Sequence, residues 1–140
     1  MPTMGTSTGK DLTVTAPDRP GQLAKAAEAI ADAGINIDGF CATTSDGKGT
    51  FHVLTKDPAG TRRALQGAGF EVREERDVVI VEAEDRPGEA AKALRKIADQ
   101  EINIALAYSI TKDRFALGAA DIAKVREALE SEAPATTRRK

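Results

Sequence analysis

Apolar and polar residues alternate at the start of the chain: Leu12, Val14 and Ala16 interleave with Asp11, Thr13 and Thr15. That period of two predicts a half-buried strand, closed by Pro17, which has no N–H for a ladder. Over residues 22–32 the period lengthens: Leu23, Ala27, Ile30 and Ala31 recur at helical spacing, with Gly34 placed to end the helix. Residues 35–44 return to a strand with Ile35, Ile37 and Cys41 on one face. Residues 50–55 form its hairpin partner, with Phe51 and Val53 buried. A two-residue loop at Asp46-Gly47 would set Cys41 opposite His52 but put Phe51 on the face away from Ile35 and Ile37. A longer loop or bulge removes that conflict, so the register stays open. Asp57-Pro58 then predicts a second helix with Ala64, Leu65 and Ala68 inward, and Phe70 and Val72 open a polar fourth strand to Arg76.

The pattern then repeats. Asp18-Arg19-Pro20-Gly21 recurs as Asp85-Arg86-Pro87-Gly88, and Gly34-Ile35-Asn36-Ile37 as Glu101-Ile102-Asn103-Ile104, both 67 positions on. Phe115 and Asp121 match Phe51 and Asp57 at an offset of 64, so the second copy has lost three residues, most naturally in the hairpin around Lys112-Asp113. Its helices carry Ala90, Leu94, Ile97 and Ala98, then Ile122, Val125 and Leu129. The fold class is α+β: two βαββαβ units of the ferredoxin-like kind, helices on one face of antiparallel sheets, the second lacking its last strand. The expected organisation is a flexible leader over 1–10, modules over 11–76 and 77–130, and a tail over 131–140. Modules this small need a packing partner. The edge left by the missing strand is open to one.

Charge and composition narrow the chemistry. A net charge of −2 over 140 residues speaks against a phosphate-binding field, and so against nucleic acid. Phe51 and Phe115 are spaced as core residues, not as base-stacking platforms. No apolar run reaches a membrane span, and one cysteine fits a reducing cytoplasm. Cys41 reads as a small buried hydrophobe and His52 as a satisfied strand residue. No third orienting group is indicated for a nucleophile–base pair. No Cys/His cluster suggests a metal and no Gly-rich phosphate loop suggests a nucleotide, so neither an enzyme nor a cofactor is expected.

The two motifs, at fixed spacing within this strand–helix order and present twice, resemble the ACT domain, a small regulatory module of amino-acid metabolism. The resemblance spans residues 11–130, and stand-alone tandem forms look similar to this chain, the glycine-cleavage repressor type among them. It implies a non-catalytic, allosteric, ligand-sensing protein that binds an amino acid between modules, as a homodimer with a possible regulated protein partner. It further implies a ligand site at Asp18, Pro20, Gly21, Gln22, Leu23, Asn36 and Ile37, and in the second copy at Asp85, Pro87, Gly88, Glu89, Ala90, Asn103 and Ile104.

The residue types suit that role. N–H groups at Gly21 and Gln22 lie at the positive end of a helix, and Asn36 can both donate and accept. Asp18 and Asp85 equally suit helix caps, and Gly21 and Gly88 equally suit close strand–helix packing. Glu89 adds a negative charge in the second copy, where Glu101 replaces Gly34 and Ala90 is smaller than Leu23. A structural or protein-interaction module with no small-molecule ligand is the alternative, using the open sheet edge.

Overall fold

The computed structural model describes residues 4–111 and 113–131. The chain divides into two compact units: a first module of Gly9–Asp77, and a second of residues 4–8 with 78–131.

In the first module, strand β1 (Gly5–Pro17) leads into helix α1 (Gln22–Asp32). Strands β2 (Gly39–Ser45) and β3 (Lys48–Leu54), helix α2 (Pro58–Gly67) and strand β4 (Glu71–Glu82) follow. The sheet order is β2-β3-β1-β4. The β1–β3 and β2–β3 pairs are antiparallel. β4 also runs against β1, since Lys10 meets Asp77 at 2.6 Å while Thr15 meets Glu71 at 3.4 Å. Leu12, Val14, Phe51 and Val53 form the core with Ala26, Ile30, Leu65 and Phe70. Phe51 stands 5.9 Å from Phe70, edge to face, a geometry that suits the ring quadrupoles. On α1 the buried residues are Ala26 and Ile30, whereas Leu23 is 44% exposed, so the apolar stripe is rotated from the one expected.

The hairpin register is settled. Ser45 pairs with Lys48, which leaves a two-residue loop, and Cys41 faces His52. Asp46 and Gly47 have φ of 52° and 78°, the doubly left-handed turn whose twist matches the strands. The expected conflict with Phe51 disappears because β2 begins at Gly39, not at Ile35. Residues 35–38 are irregular, so Ile35 and Ile37 reach the core without obeying strand alternation.

The second module contains the rest of β4, α3 (Glu89–Asp99), β5 (Ile104–Thr111), β6 (Arg114–Ala119) and α4 (Ile122–Glu130). The two strands expected at 70–76 and 78–83 are one continuous strand, β4. Its core is Val79, Val81, Ala93, Ile97, Leu117, Val125 and Leu129, with Leu94 40% exposed. Lys112, where the shortened hairpin was expected, lies outside the described residues, as does the tail beyond Ser131.

The expected flexible leader is corrected: β1 begins at Gly5, and residues 5–8 lie beside β4 in the second module, giving the order β1-β4-β6-β5. A Cβ on Gly5 would sit 3.5 Å from Glu82, and Met4 packs on the second core. The Thr6 hydroxyl donates to Glu130 at 2.6 Å, and this bond chiefly holds the Glu130 carboxyl below the usual carboxylate range. These residues fill the position of the fourth strand, so the edge that the interaction alternative would use is occupied.

Caps separate the helices into two kinds. Asp57 accepts from the Gly60 N–H at 2.9 Å, and Asp121 accepts from Ala123 and Lys124, so α2 and α4 begin as expected. At the end of α1, Gly34 takes the left-handed position (φ 76°); after α3 the same position is Glu101 (φ 58°).

Truncating residues 1–8 should lower the melting temperature and accelerate amide exchange at 78–82, while amides of Leu12 and Val14 keep their protection. Glu101→Gly should stabilise the chain by about 1 kcal/mol, because left-handed backbone costs a side-chain-bearing residue ~1–2 kcal/mol and glycine returns part of that as entropy. Denaturant unfolding reads the difference.

Candidate functional site

The turn from β1 into α1 is built by backbone. The Asp18 N–H donates to the Gly47 carbonyl at 3.0 Å, which ties the motif loop to the tip of the β2–β3 hairpin. Gly21 is then the N-cap of α1 with φ 88°, and Gly88 the N-cap of α3 with φ 91°. Neither helix has a side-chain cap, so Asp18 and Asp85 are not the caps their sequence position suggested. A Cβ on Gly21 or Gly88 would meet nothing within 4 Å. Close strand–helix packing therefore does not require these glycines; the positive φ does.

Between this loop and the hairpin lies a cavity of about 380 Å³, wholly within the first module. Asp18, Arg19, Gly21, Gln22 and Leu23 form one wall, and Ala16, Ala42, Thr44, Gly49 and Phe51 form the floor. The register explains the floor: Thr44 pairs with Gly49, which pairs with Ala16, one row from Ala42 and Phe51. Side chains of one such row point to one face, and here that face carries α1. Thr43 and Thr50 also line the cavity, from positions whose side chains alternate to the other face. The first intrahelical bond runs from Lys25 to the Gly21 carbonyl at 2.9 Å, so the N–H groups of Leu23 and Ala24 have no acceptor inside the helix. Gln22 N–H donates at 3.4 Å to Arg19, so it is partly engaged rather than free.

Of the expected site residues, Asp18, Gly21, Gln22 and Leu23 converge here; exposed Pro20 lies in the loop without lining the cavity. Asn36 and Ile37 do not converge. They follow the far end of α1, whose 11 residues span about 16 Å. Asn36 is exposed and Ile37 packs on the core. Arg19, inside the motif, and the hairpin residues Ala42, Thr44 and Phe51 were passed over. The signal was the Asp46-Gly47 turn, whose two-residue register fixes which residues face the loop.

The second copy differs. A broad depression of about 670 Å³ is lined by Glu84, Asp85, Arg86, Thr111 and Asp113, without Gly88, Glu89 or Ala90. Asn103 is exposed and Ile104 packs on the second core. Arg86 contacts Glu84 at 2.7 Å and Glu89 at 3.0 Å, and Lys92 reaches Glu89 at 3.2 Å. The Arg86 and Lys92 hydrogen bonds hold the Glu89 carboxyl below the usual carboxylate range, and Glu89 pushes the Arg86 guanidinium up.

On the other face of the first sheet, His52 Nδ1 lies 2.9 Å from Asp11, whose side chain is fully buried, with Thr13 3.4 Å from both. Alternation alone predicts an outward strand position for Asp11; in the fold it is buried and orients His52. No group of His, Cys, Asp and Glu among the described residues could hold a metal, and no described helix is long and apolar enough to cross a membrane.

A βαββαβ module with a cavity at its first helix N-terminus belongs to the class of small ferredoxin-like domains. More particularly, residues 10–66, within the first module, match the model of the ACT domain. Among solved structures it resembles a protein of Bacteroides thetaiotaomicron at 23% identity and a TM-score of 0.80, covering 89% of this chain and 88% of that one. It also resembles the ligand-free regulatory subunit of aspartate kinase from Thermus thermophilus (18%, TM-score 0.66, 94% and 98% covered). The corresponding subunit from Thermus flavus is similar too (21%, TM-score 0.59, 92% and 98% covered). At these identities the likeness carries the fold. Comparison with curated proteins gives no match.

Gly21→Ala should cost about 1–2 kcal/mol from left-handed strain. Gly67→Ala, in α2 with open space around it, should instead gain up to about 1 kcal/mol in helix propensity. Equal effects in paired chemical melts would refute the assignment of Gly21 to strain.

Proposed function

We propose that this chain is a non-catalytic regulatory protein, a tandem of two ACT modules that senses a small molecule, and that the molecule is an amino acid held in the first-module cavity. One observation carries the reading: a carboxylate (Asp18), a guanidinium (Arg19) and the N-terminus of α1 stand around an apolar floor in a cavity of about 380 Å³. A zwitterion needs both signs of charge within a few ångströms and a surface for its side chain. Asp18 suits an α-ammonium, while Arg19 and the helix N-terminus suit an α-carboxylate. Ala16, Ala42, Leu23 and Phe51 offer apolar contact to the side chain. The family match over 10–66 covers this cavity, and two of the similar structures are regulatory subunits of an amino-acid kinase.

Sensing requires that the ligand bind one state of the protein better than another. In this proposal the α1 N-terminus and the hairpin tip, joined by the Asp18–Gly47 bond, are the parts a ligand draws together.

Thermal melting against a panel of the standard amino acids tests it. An amino acid present at about 100 times its dissociation constant should add ~2.7 kcal/mol and raise the melting temperature by several degrees. Asp18→Ala should remove that shift and Asn36→Ala should leave it. A panel in which no amino acid moves the melt sinks the proposal.

A further inference from the structure

The two copies of the motif place an arginine at the same position, Arg19 and Arg86, in opposite electrostatic circumstances. Two residues before Arg19 stands Pro17 and three after it Gln22; around Arg86 the same positions are Glu84 and Glu89. Among the described residues Arg19 makes no ion pair, and it lines the cavity. Arg86 is held at 2.7 Å by Glu84 and 3.0 Å by Glu89, and Glu89, its side chain only 13% exposed, is held in turn by Lys92 at 3.2 Å.

On the reading that the first-module cavity takes an amino acid, we propose that Arg19 is the residue that recognises the α-carboxylate. We further propose that Glu84 and Glu89 silence the same position in the second module, so that each chain binds one effector rather than two. A free carboxylate reaching Arg86 must displace two carboxylates of the chain itself. These act at the high effective concentration that covalent tethering gives, millimolar or more for a short link. It must also approach against their like charge, with Asp113 on the same rim. At Arg19 neither obstacle exists: proline and glutamine carry no charge, and the nearby Asp18 is free to take the ammonium end. The downward displacement of Glu89 and the upward displacement of Arg86 fit the same pairing. Arg19 is exposed and lies outside the first core, so its replacement leaves the module folded.

Phenylglyoxal, which modifies unpaired guanidinium groups, followed by peptide mass spectrometry, reads the difference directly. Arg19 should be modified several-fold faster than Arg86. An equimolar mixture of the standard amino acids should slow Arg19 alone, and in the Glu84→Gln/Glu89→Gln variant Arg86 should react as fast as Arg19. In melting experiments with the same mixture, Arg19→Gln should lose the stabilisation and Arg19→Lys should keep part of it. Equal modification of the two arginines in the native chain overturns the proposal. So does an Arg19→Gln chain that the mixture still stabilises, and that outcome leaves the cavity assignment standing. A native chain that the mixture does not stabilise overturns the cavity assignment and this proposal with it.

Discussion

An unpaired strand edge leaves a row of N–H and C=O groups that must find partners, and that requirement organises the second module. Residues 78–119 supply three of its strands, and the fourth position beside β4 is taken by residues 5–8 from the beginning of the chain. With them the module has the same strand order as the first. Without them, β4 would present its backbone to solvent and Met4 would leave the second core. The Thr6–Glu130 bond anchors this strand to the end of α4 by a charge-assisted contact. The module is therefore continuous in space and discontinuous in sequence, and both β1 and β4 give residues to both units.

That discontinuity explains what the sequence concealed. Residues 5–10 hold glycine, threonine, serine and lysine with no alternation, so nothing local marks a strand; the pairing that makes one is supplied by β4, some 70 positions away. Elsewhere local chemistry was sufficient. The 67-residue repeat announced two modules. Asp57 and Asp121 announced their helices, because a carboxylate before a helix meets N–H groups that have no other acceptor. The same logic failed at Asp18 and Asp85, where glycine and not aspartate stands at the cap. The three-residue gap between each aspartate and its helix is filled by a turn, and this leaves the carboxylates unspent on capping.

The candidate site was half legible for a related reason. Its loop wall is contiguous in sequence and all of it but Arg19 follows from the motif, whereas its floor comes from a hairpin whose register is invisible until the turn is fixed. Asp46 adopts a left-handed conformation that sequence alone assigns readily only to the glycine beside it. Asn36 was drawn in by its motif, but a motif records spacing along the chain, and an 11-residue helix carries it to the opposite end of the module.

Between the copies, the scaffold has been kept while the electrostatics have diverged. The left-handed glycine caps, the two alanine–isoleucine pairs that pack α1 and α3, and the capped second helices are shared. What differs is charge at the helix mouth, where proline and glutamine in one copy are glutamates in the other. None of these four residues belongs to either core, so folding does not choose among them. Surface ion pairs such as Arg86–Glu89 contribute little to stability. Their consequence is local: they neutralise one arginine and, by their absence, leave the other available. A repeat in which packing is duplicated and only the mouth is rewritten is one in which the two copies share a fold and differ in the charge they present at the helix N-terminus.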